Sequence, residues 1–478
     1  MRRVLLTAVV ALTGAAGVLA PAARAGGPTL TLGAAEDVVR SSSLVEAKAQ
    51  MTLLQLAGFR AVRVTSIWQP GELAPGPTER AILGNVAAAA ELAGVRVYVS
   101  VFHAGSRTTP LLPEERTRFA SYTAGVARAY PSFRDLIVGN EPNLNRFWLP
   151  QYAADGSGAS APAYLSLLAE TYDAVKAVSP DVNVIGGALA PRGVDRPGTG
   201  RDTISPTRFV RELGAAYRAS TRTLPVMDVF AFHPYADNSS RSPDLPPGDP
   251  DHLGLVDYPK LVALLAEAFD GTAQAGSTLP ILYDEFGVEA VIPTEKAALY
   301  SGTEPVTTKP VTEATQAAYY RRALQLAFCQ PNVVGMLLFH SHDETALSAW
   351  QSGLYYADGS PKTSLPPVRE ALAATRGGSI GRCEGLALTL KPKTAFSART
   401  LGISLRCDLD CVYRARLVKL PVGSTTAAVS GRAKADARVA ISLRRKVRPG
   451  LYRLTVSLTH PVNRGEPVLR ESTPFRIR

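Results

Sequence analysis

The chain has 478 residues, which is too long for one ordinary hydrophobic core and favours two to three domains, or one large barrel followed by a small module. Its net charge of +11 is concentrated at the C-terminal end, where residues 386–478 contain 19 Lys and Arg against 5 Asp and Glu. After the first 25 residues no stretch approaches the roughly 18 apolar residues of a membrane-spanning helix, and too few aromatic residues interleave with the basic ones to form a nucleic-acid platform.

Residues 1–25 have the pattern of a cleavable secretory signal peptide. Arg2 and Arg3 are followed by an apolar run over residues 4–19 and by the small-residue pattern Ala-Arg-Ala at 23–25. The arginine pair leaves the twin-arginine route open, although the residues around it favour the general secretory route. The sequence therefore predicts a secreted, extracellular protein.

The even number of cysteines fits an oxidising destination. Proximity in the sequence favours one disulfide between Cys407 and Cys411, which leaves Cys329 to pair with Cys383. Four buried thiols are the alternative, since an even number of cysteines also arises by chance.

Residues 26–376 repeat one unit eight times: a short apolar run, a polar turn, and a stretch with apolar residues at steps of three and four. The predicted strands are Thr29–Ala35, Ala61–Trp68, Arg96–His103, Arg134–Glu141, Asn183–Ala190, Met227–Tyr235, Leu279–Phe286 and Val333–His340. Strands that alternate with helices pair in parallel, and nearly continuous apolar runs indicate strands covered on both faces. The pattern predicts a (β/α)8 TIM barrel rather than an open sheet, because no Gly-rich phosphate fingerprint follows the first strand.

The pattern changes after a linker at residues 377–385. Residues 386–478 contain about seven short runs in which apolar and polar residues alternate, most clearly at 453–459, as in strands with one wet face. They predict a small, basic, all-β sandwich-like C-terminal domain. Its charge either forms a solvated surface or holds the protein near anionic cell-wall polymers or glycans.

Two glutamates end predicted strands on opposite sides of the barrel. The functional groups of a (β/α)8 barrel project from the C-terminal ends of its strands, so Glu141 and Glu285 are expected to face each other across the barrel mouth. One carboxylic acid can protonate a departing glycosidic oxygen while the other carboxylate attacks the anomeric carbon. The pair predicts a glycosidase that works without a metal ion or an organic cofactor.

Other polar and aromatic residues at strand ends are candidates for contact with a carbohydrate substrate. They are Arg63, Trp68, His103, Asn140, Trp148, His233, Tyr235, His340 and Trp350. The tryptophans suit stacking on sugar faces, although barrel rims also bury tryptophan structurally. A metal site at His340, His342, Asp343 and Glu344 is not expected, because alternate residues of a strand point to opposite faces.

Two segments of the sequence resemble the catalytic strands of clan A glycoside hydrolases. Residues 137–148, Ile-Val-Gly-Asn-Glu-Pro-Asn-Leu-Asn-Arg-Phe-Trp, resemble the acid/base strand and are especially similar to family 39. Residues 282–287, Leu-Tyr-Asp-Glu-Phe-Gly, resemble the nucleophile strand. The order of polar strand-end residues is also similar to family 5, the cellulase-type enzymes. The residues in those places are Arg63, His103, Asn140, Glu141, His233, Tyr235 and Glu285.

The resemblance implies residue roles across the barrel. Glu141 would be the acid/base and Glu285 the nucleophile, with Asn140 a donor to the sugar 2-hydroxyl and with Tyr235 and Arg63 supporting the nucleophile. One departure concerns the end of the eighth strand. Family 5 has a tryptophan there, whereas residues 339–342 read Phe-His-Ser-His and Trp350 follows later.

The sequence thus predicts a secreted, retaining O-glycoside hydrolase that cleaves a β-linked glycoside or polysaccharide. A transglycosylase is one alternative, because a sugar can intercept the same covalent intermediate. A non-catalytic carbohydrate-binding or wall-associated barrel is another, although both carboxyl groups are present. The long segments 236–257 and 288–311, which follow the sixth and seventh strands, are expected to shape the site.

Overall fold

The computed structural model describes residues 27–380 and, after them, 388–389, 401–406, 411–434, 438–443, 447–459, 468–472 and 474–477. The predicted signal peptide lies outside the described residues, and so do Cys383 and Cys407. The signal and the cysteine pairing therefore stay predictions.

Eight parallel strands form a closed barrel in which the last strand pairs with the first. The strands are β1 (Thr31–Ala35), β2 (Ala61–Trp68), β3 (Arg96–His103), β4 (Asp135–Val138), β5 (Asn183–Leu189), β6 (Val229–Phe232), β7 (Ile281–Phe286) and β8 (Val333–Phe339). The predicted (β/α)8 TIM barrel is confirmed.

One α-helix follows each strand. The helices are α1 (Leu44–Ala57), α2 (Pro77–Ala93), α3 (Pro113–Ala129), α4 (Ser160–Val178), α5 (Pro206–Ala219), α6 (Tyr258–Phe269), α7 (Glu313–Phe328) and α8 (Leu365–Arg376). Their ends follow local chemistry: α1 begins where Ser43 Oγ accepts from the Glu46 backbone N–H, and it ends at Gly58, whose φ of 104° only glycine adopts readily. Within the part of the chain that the structure describes, none of the helices is long and apolar enough to cross a membrane.

The strands alternate their side chains between two apolar layers. An inner layer fills the barrel, with Tyr98, Ile137 and Leu282 among its members. An outer layer packs the strands against the helices. Both faces of each strand are therefore covered, which explains why the strand sequences are almost continuously apolar.

Strands β4 and β6 are shorter than the sequence predicted. The chain leaves the extended conformation after Val138, because Gly139 and Glu141 adopt positive φ values of 84° and 41°. The Glu141 backbone N–H donates to the Ala188 carbonyl oxygen at 2.8 Å, which fixes the turn against β5. Asn140 and Glu141 thus lie on a constrained turn beyond the strand.

The described residues of the C-terminal part form antiparallel strands. It contains the strands β9 (Leu388–Thr389), β10 (Leu401–Arg406), β11 (Cys411–Lys419), β12 (Ser424–Ala433), β13 (Arg438–Leu443), β14 (Gly450–Thr459), β15 (Val468–Glu471) and β16 (Phe475–Ile477). One sheet has the order β13-β10-β9, and the other has the order β12-β11-β14-β15 with β16 also paired to β14. The predicted alternation is present in β14, where Tyr452, Leu454 and Val456 are buried. The predicted C-terminal β domain is confirmed.

Candidate active site

A cleft of about 710 Å³ opens at the C-terminal ends of the barrel strands. Residues that follow or end all eight strands contribute to its lining. Of the residues predicted from the sequence, it is lined by Arg63, Asn140, Glu141, Tyr235, Glu285, His340 and Trp350. Most of the candidate residues therefore lie where functional groups of a (β/α)8 barrel are expected, at the C-terminal face of the barrel.

Two carboxyl groups approach each other in this cleft. A carboxylate oxygen of Glu141 lies within 4.8 Å of a carboxylate oxygen of Glu285. Their side chains are 15% and 10% exposed, so each is accessible to a ligand only from the cleft. This separation is shorter than the roughly 6.5 Å that an inverting pair needs to admit a water between its carboxyl groups and the substrate.

Buried donors orient the Glu285 carboxylate. Arg63 Nη1 donates to Oε1, and the hydroxyl group of Tyr235 donates to Oε2 at 2.9 Å. Arg63 Nη2 also donates to Ser100 Oγ at 3.1 Å and to Asn140 Oδ1 at 2.7 Å. Burial lowers the pKa of Arg63, but the carboxylates of Glu285 and Asp284 outweigh burial and leave the pKa raised. One permanently charged guanidinium group on β2 thus links Ser100 of β3, Asn140 beyond β4 and Glu285 of β7.

His233 lies beneath Glu141 and is fully buried. Its Nδ1 is 3.0 Å from Glu141 Oε1, and its Nε2 is 3.3 Å from Asp284 Oδ1. Burial lowers the pKa of His233, but the carboxylates of Glu285 and Asp284 outweigh it and raise the pKa to about 10. At neutral pH the ring is therefore an imidazolium that donates from Nδ1 to Glu141. His233 supports the cleft from below and does not line it.

Asp284 serves as a counter-ion inside the barrel. Its side chain is 0% exposed and lies 3.5 Å from Arg63 Nε as well as beside His233. Burial raises the pKa of Asp284, but His233 and Arg63 outweigh burial and leave the pKa lowered. Two cations, Arg63 and His233, and two carboxylates, Asp284 and Glu285, are thus packed together at the floor of the cleft, which limits the cost of burying each charge.

An aromatic wall stands beside the nucleophile candidate. The Trp350 ring lies 4.9 Å from the Tyr235 ring at an interplanar angle of 32°, and it meets the Phe339 ring edge-on at 5.3 Å. Trp350 is half-buried and lines the cleft. The loop after β8 therefore supplies a tryptophan to the cleft although β8 itself ends in Phe339. His340 also lines the cleft, with Nδ1 2.7 Å from the Ala35 carbonyl oxygen.

Four predicted substrate contacts lie outside the cleft lining: besides His233, they are Trp68, His103 and Trp148, all of them buried. For the strand residues Trp68 and His103, the reason is the two-residue alternation of strands. Arg63 faces inward on β2, so Trp68, five residues later, projects outward and packs edge-on against Phe119 of α3.

The same parity applies on β3. Phe102 lines the cleft, whereas His103 points outward to meet the Trp148 ring at 5.6 Å. Burial lowers the pKa of His103. Tyr98 faces inward on the same strand, so counting every second residue from it would have identified Phe102, rather than His103, as the cleft residue.

Several charged cleft residues were missed by the sequence reasoning. Glu36 directly follows β1, and its Oε2 accepts from the backbone N–H groups of Ser341 and His342 at 3.0 and 3.1 Å. Listing the residue after each strand would have found it. Glu289 lies three residues beyond β7 in an irregular loop, where no periodic signal marks it.

Metal binding was tested against the donor atoms. Among the described residues, one group of three possible ligands converges: Glu141, His233 and Glu285. Glu141 and Glu285 line the cleft, and His233 lies beneath them with its ring nitrogens 3.0 Å from Glu141 and 3.3 Å from Asp284. At the end of β8, Asp343 instead pairs with Lys362 at 2.8 Å.

No protein-family model matches the chain. No curated protein sequence matches it either.

Solved structures with a similar fold were found. A GH39 β-xylosidase from Caulobacter crescentus has 15% identity and a TM-score of 0.47, with 89% of this chain and 98% of that chain covered. An exo-β-1,4-mannosidase from Opitutaceae bacterium strain TAV5 has 19% identity and a TM-score of 0.46, with 74% of this chain and 60% of that chain covered. A Bacteroides uniformis β-glucuronidase has 13% identity and a TM-score of 0.45, with 94% of this chain and 46% of that chain covered. This chain thus spans about half the length of that glucuronidase, and similarity at this level does not define its activity.

Proposed function

We propose that this protein is a retaining O-glycoside hydrolase that cleaves β-glycosidic bonds. The observation that carries the proposal is the approach of the Glu141 and Glu285 carboxylate oxygens to within 4.8 Å in an open cleft. A pair at this separation favours direct attack by one carboxylate over attack by an intervening water.

In the first step, an oxygen of Glu285 bonds to the anomeric carbon as the bond from that carbon to the leaving oxygen breaks. Glu141 donates its proton to the leaving oxygen. Arg63 and Tyr235 hold the attacking carboxylate in line. The product of this step is a covalent glycosyl ester on Glu285 and a free alcohol.

In the second step, Glu141 takes a proton from water while the water oxygen bonds to the anomeric carbon. The ester bond breaks and the carboxylate of Glu285 is restored. Two inversions give net retention, and Glu141 regains the proton that the next cycle needs.

Asn140 and Trp350 are proposed to position the sugar. Asn140 Oδ1 is engaged by Arg63 at 2.7 Å, which turns the amide so that its Nδ2 is the group left to donate to a sugar 2-hydroxyl. Trp350 offers an apolar ring face beside the nucleophile for the sugar ring.

The proposal is tested with purified protein and a panel of aryl β-glycosides. Glu285→Ala is expected to abolish turnover, and a 2-deoxy-2-fluoro glycoside is expected to add its mass to the peptide that contains Glu285. Glu141→Ala should spare substrates with good leaving groups and regain activity with azide. Glu295→Ala is the matched control, since this exposed glutamate lies outside the cleft. Undiminished turnover by Glu285→Ala would remove the assignment.

We also propose that the protein is exported from the cell, which the signal pattern at residues 1–25 supports. We further propose that the basic C-terminal domain attaches the protein to anionic wall polymers. Arg414 and Arg416 are exposed on β11, on the face opposite the buried Ala415. Recovery of the protein from washed cell walls by salt would support this role, whereas a salt-independent distribution would contradict it.

A further inference from the structure

Glu289 is a carboxyl group that the proposed mechanism leaves unused. It follows β7, lines the cleft and is only 7% exposed. Its Oε2 accepts from the Gln351 backbone N–H at 3.3 Å, while no donor among the described residues reaches Oε1. One carboxyl oxygen of this cleft-lining side chain is thus left to accept a hydrogen bond from a ligand.

The backbone around Glu289 is fixed on three sides. Its N–H donates to Ser239 Oγ at 3.0 Å, and its carbonyl oxygen accepts from the Val311 N–H at 3.0 Å. The next N–H, that of Ala290, donates to the Gln351 carbonyl oxygen at 3.2 Å. The loop therefore presents the carboxyl group in one place, as a site that discriminates between ligands requires.

The loop after β8, whose Gln351 N–H binds Glu289, also carries Trp350 of the aromatic wall. Gln351 directly follows Trp350, and its carbonyl oxygen accepts from Lys362 Nζ at 2.9 Å. Lys362 in turn forms an ion pair at 2.8 Å with Asp343, and both side chains are 0% exposed. Glu289 and Trp350 are therefore anchored together, and Trp350 packs against Tyr235, which hydrogen-bonds Glu285. These contacts assign Glu289 to the side of the cleft that receives the sugar bonded to Glu285.

This side of the cleft is acidic. Glu36, Asp37 and Glu344 line the cleft from the neighbouring ends of β1 and β8. Burial, followed by the charges of Glu304 and Asp343, raises the pKa of Glu289 to about 7, against the opposing effects of the Gln351 N–H and of Lys362.

The opposite side of the cleft has a different balance of charge. The loops after β4, β5 and β6 contribute Arg146, Arg192 and Arg241 to the lining, together with Glu141 and Asp237. Acidic side chains therefore outnumber basic ones on the side of Glu289 but not on the opposite side.

We propose that Glu289 selects the glycone: its free oxygen accepts a hydrogen bond from a hydroxyl group of a neutral sugar, and the acidic side of the cleft rejects a uronic acid in that position. The inference rests on the proposed glycosidase function and adds the substrate class. A carboxylate on the glycone would meet several like charges in a partly dehydrated site, where repulsion is weakly screened.

The first test compares matched substrates with the full chain. Each pair consists of a neutral aryl β-hexoside and the aryl β-uronide that differs from it only in the oxidation of C6. Because the aryl leaving group is uncharged, the only carboxylate in either substrate is the one on the glycone of the uronide. Arg146, Arg192 and Arg241 on the opposite side of the cleft therefore have no leaving-group carboxylate to bind. We expect kcat/KM to favour the neutral member by about 100-fold or more. A uronide that is hydrolysed as fast as its neutral partner overturns the inference.

The second test uses Glu289→Gln, which keeps the size of the side chain and removes its negative charge. The variant is expected to lose about tenfold in kcat/KM on the neutral glycoside and to narrow the preference over the uronide by at least about tenfold. Glu295→Gln is the control and should leave both values unchanged.

The outcomes separate the two proposals. An unchanged preference ratio in a folded Glu289→Gln variant, with turnover intact, overturns the selection by Glu289 and leaves the glycosidase function standing. If the variant does not fold, the preference of the wild-type protein decides. Failure of the wild-type protein to hydrolyse any glycoside overturns the proposed function, and this inference falls with it.

Discussion

His233 Nδ1 lies 3.0 Å from Oε1 of Glu141, which places a buried imidazole directly under the proposed acid/base. The ring is also in contact with Asp284, a carboxyl group that does not line the cleft. The hydrogen bond of His233 therefore fixes the orientation of Glu141 from beneath, and its charge couples the stability of the barrel to pH.

The first prediction concerns stability against pH. The pKa of His233 is raised in the folded protein, so its contribution to stability is fully present below the ordinary value of 6.5 and is lost as pH rises through about 10. The stability difference between wild type and His233→Asn should therefore be largest near pH 6 and shrink on the order of a few kcal/mol by pH 10. Urea unfolding at several pH values measures it. His252→Asn serves as the control, and a difference that grows with pH would contradict the account.

The second prediction concerns Arg63. Arg63→Met would leave the buried carboxylates of Asp284 and Glu285 without their shared cation. We expect the free energy of unfolding to fall by about 3–5 kcal/mol, because an unpaired buried charge is costly. Turnover should also fall, since the proposed nucleophile, Glu285, loses a donor. Arg60→Met, at an exposed arginine just before the same strand, should have little effect on either quantity.

The third prediction separates two tryptophans. Trp350→Ala should raise KM by about tenfold while leaving the melting temperature nearly unchanged, because the ring is half-exposed in the cleft. Trp148→Phe should lower the melting temperature and leave KM nearly unchanged, because Trp148 is 1% exposed and packs between the His103 and Tyr164 rings. Calorimetry and steady-state kinetics on both variants distinguish the two roles. A large rise in KM for Trp148→Phe would restore Trp148 as a substrate contact.

The fourth prediction follows from Glu289. Its pKa is raised from 4.5 to about 7, mainly by burial, so the folded state holds this proton more tightly than the unfolded chain does. The protein therefore loses stability as pH rises from about 4.5 through 7. Glu289→Gln removes this loss, so its stability relative to wild type should increase over that range. Unfolding free energies of both proteins at pH 5 and pH 8 test this prediction. It is contradicted if the stability of Glu289→Gln relative to wild type decreases between these pH values.

Much of the barrel followed from the sequence, because strands that are covered on both faces must be apolar throughout. The ends of the strands were harder to predict. Glu141 adopts a positive φ that no periodic pattern reveals, yet the Asn-Glu pair still marked its position. Trp68 and His103 lie outside the cleft lining because they were chosen as the last residues of their strands, without regard to which face each residue occupies.

The cleft residues on irregular loops were not predictable in the same way. Glu289 is brought to the cleft by hydrogen bonds to Ser239 and Gln351, which are 50 and 62 residues away in the chain. Such contacts depend on loop conformation and leave no trace in local composition. Trp350 was named because tryptophan suits sugar stacking, and its packing against Tyr235 is visible only in three dimensions.

The most direct test of the central claim is the stereochemistry of the first product. Hydrolysis of the aryl β-glycoside that the protein cleaves fastest can be followed by proton NMR before the free sugar mutarotates. Because Glu141 and Glu285 lie within 4.8 Å of each other, the β-anomer is predicted to form first. Initial release of the α-anomer would show single displacement by water and would contradict the covalent intermediate on Glu285.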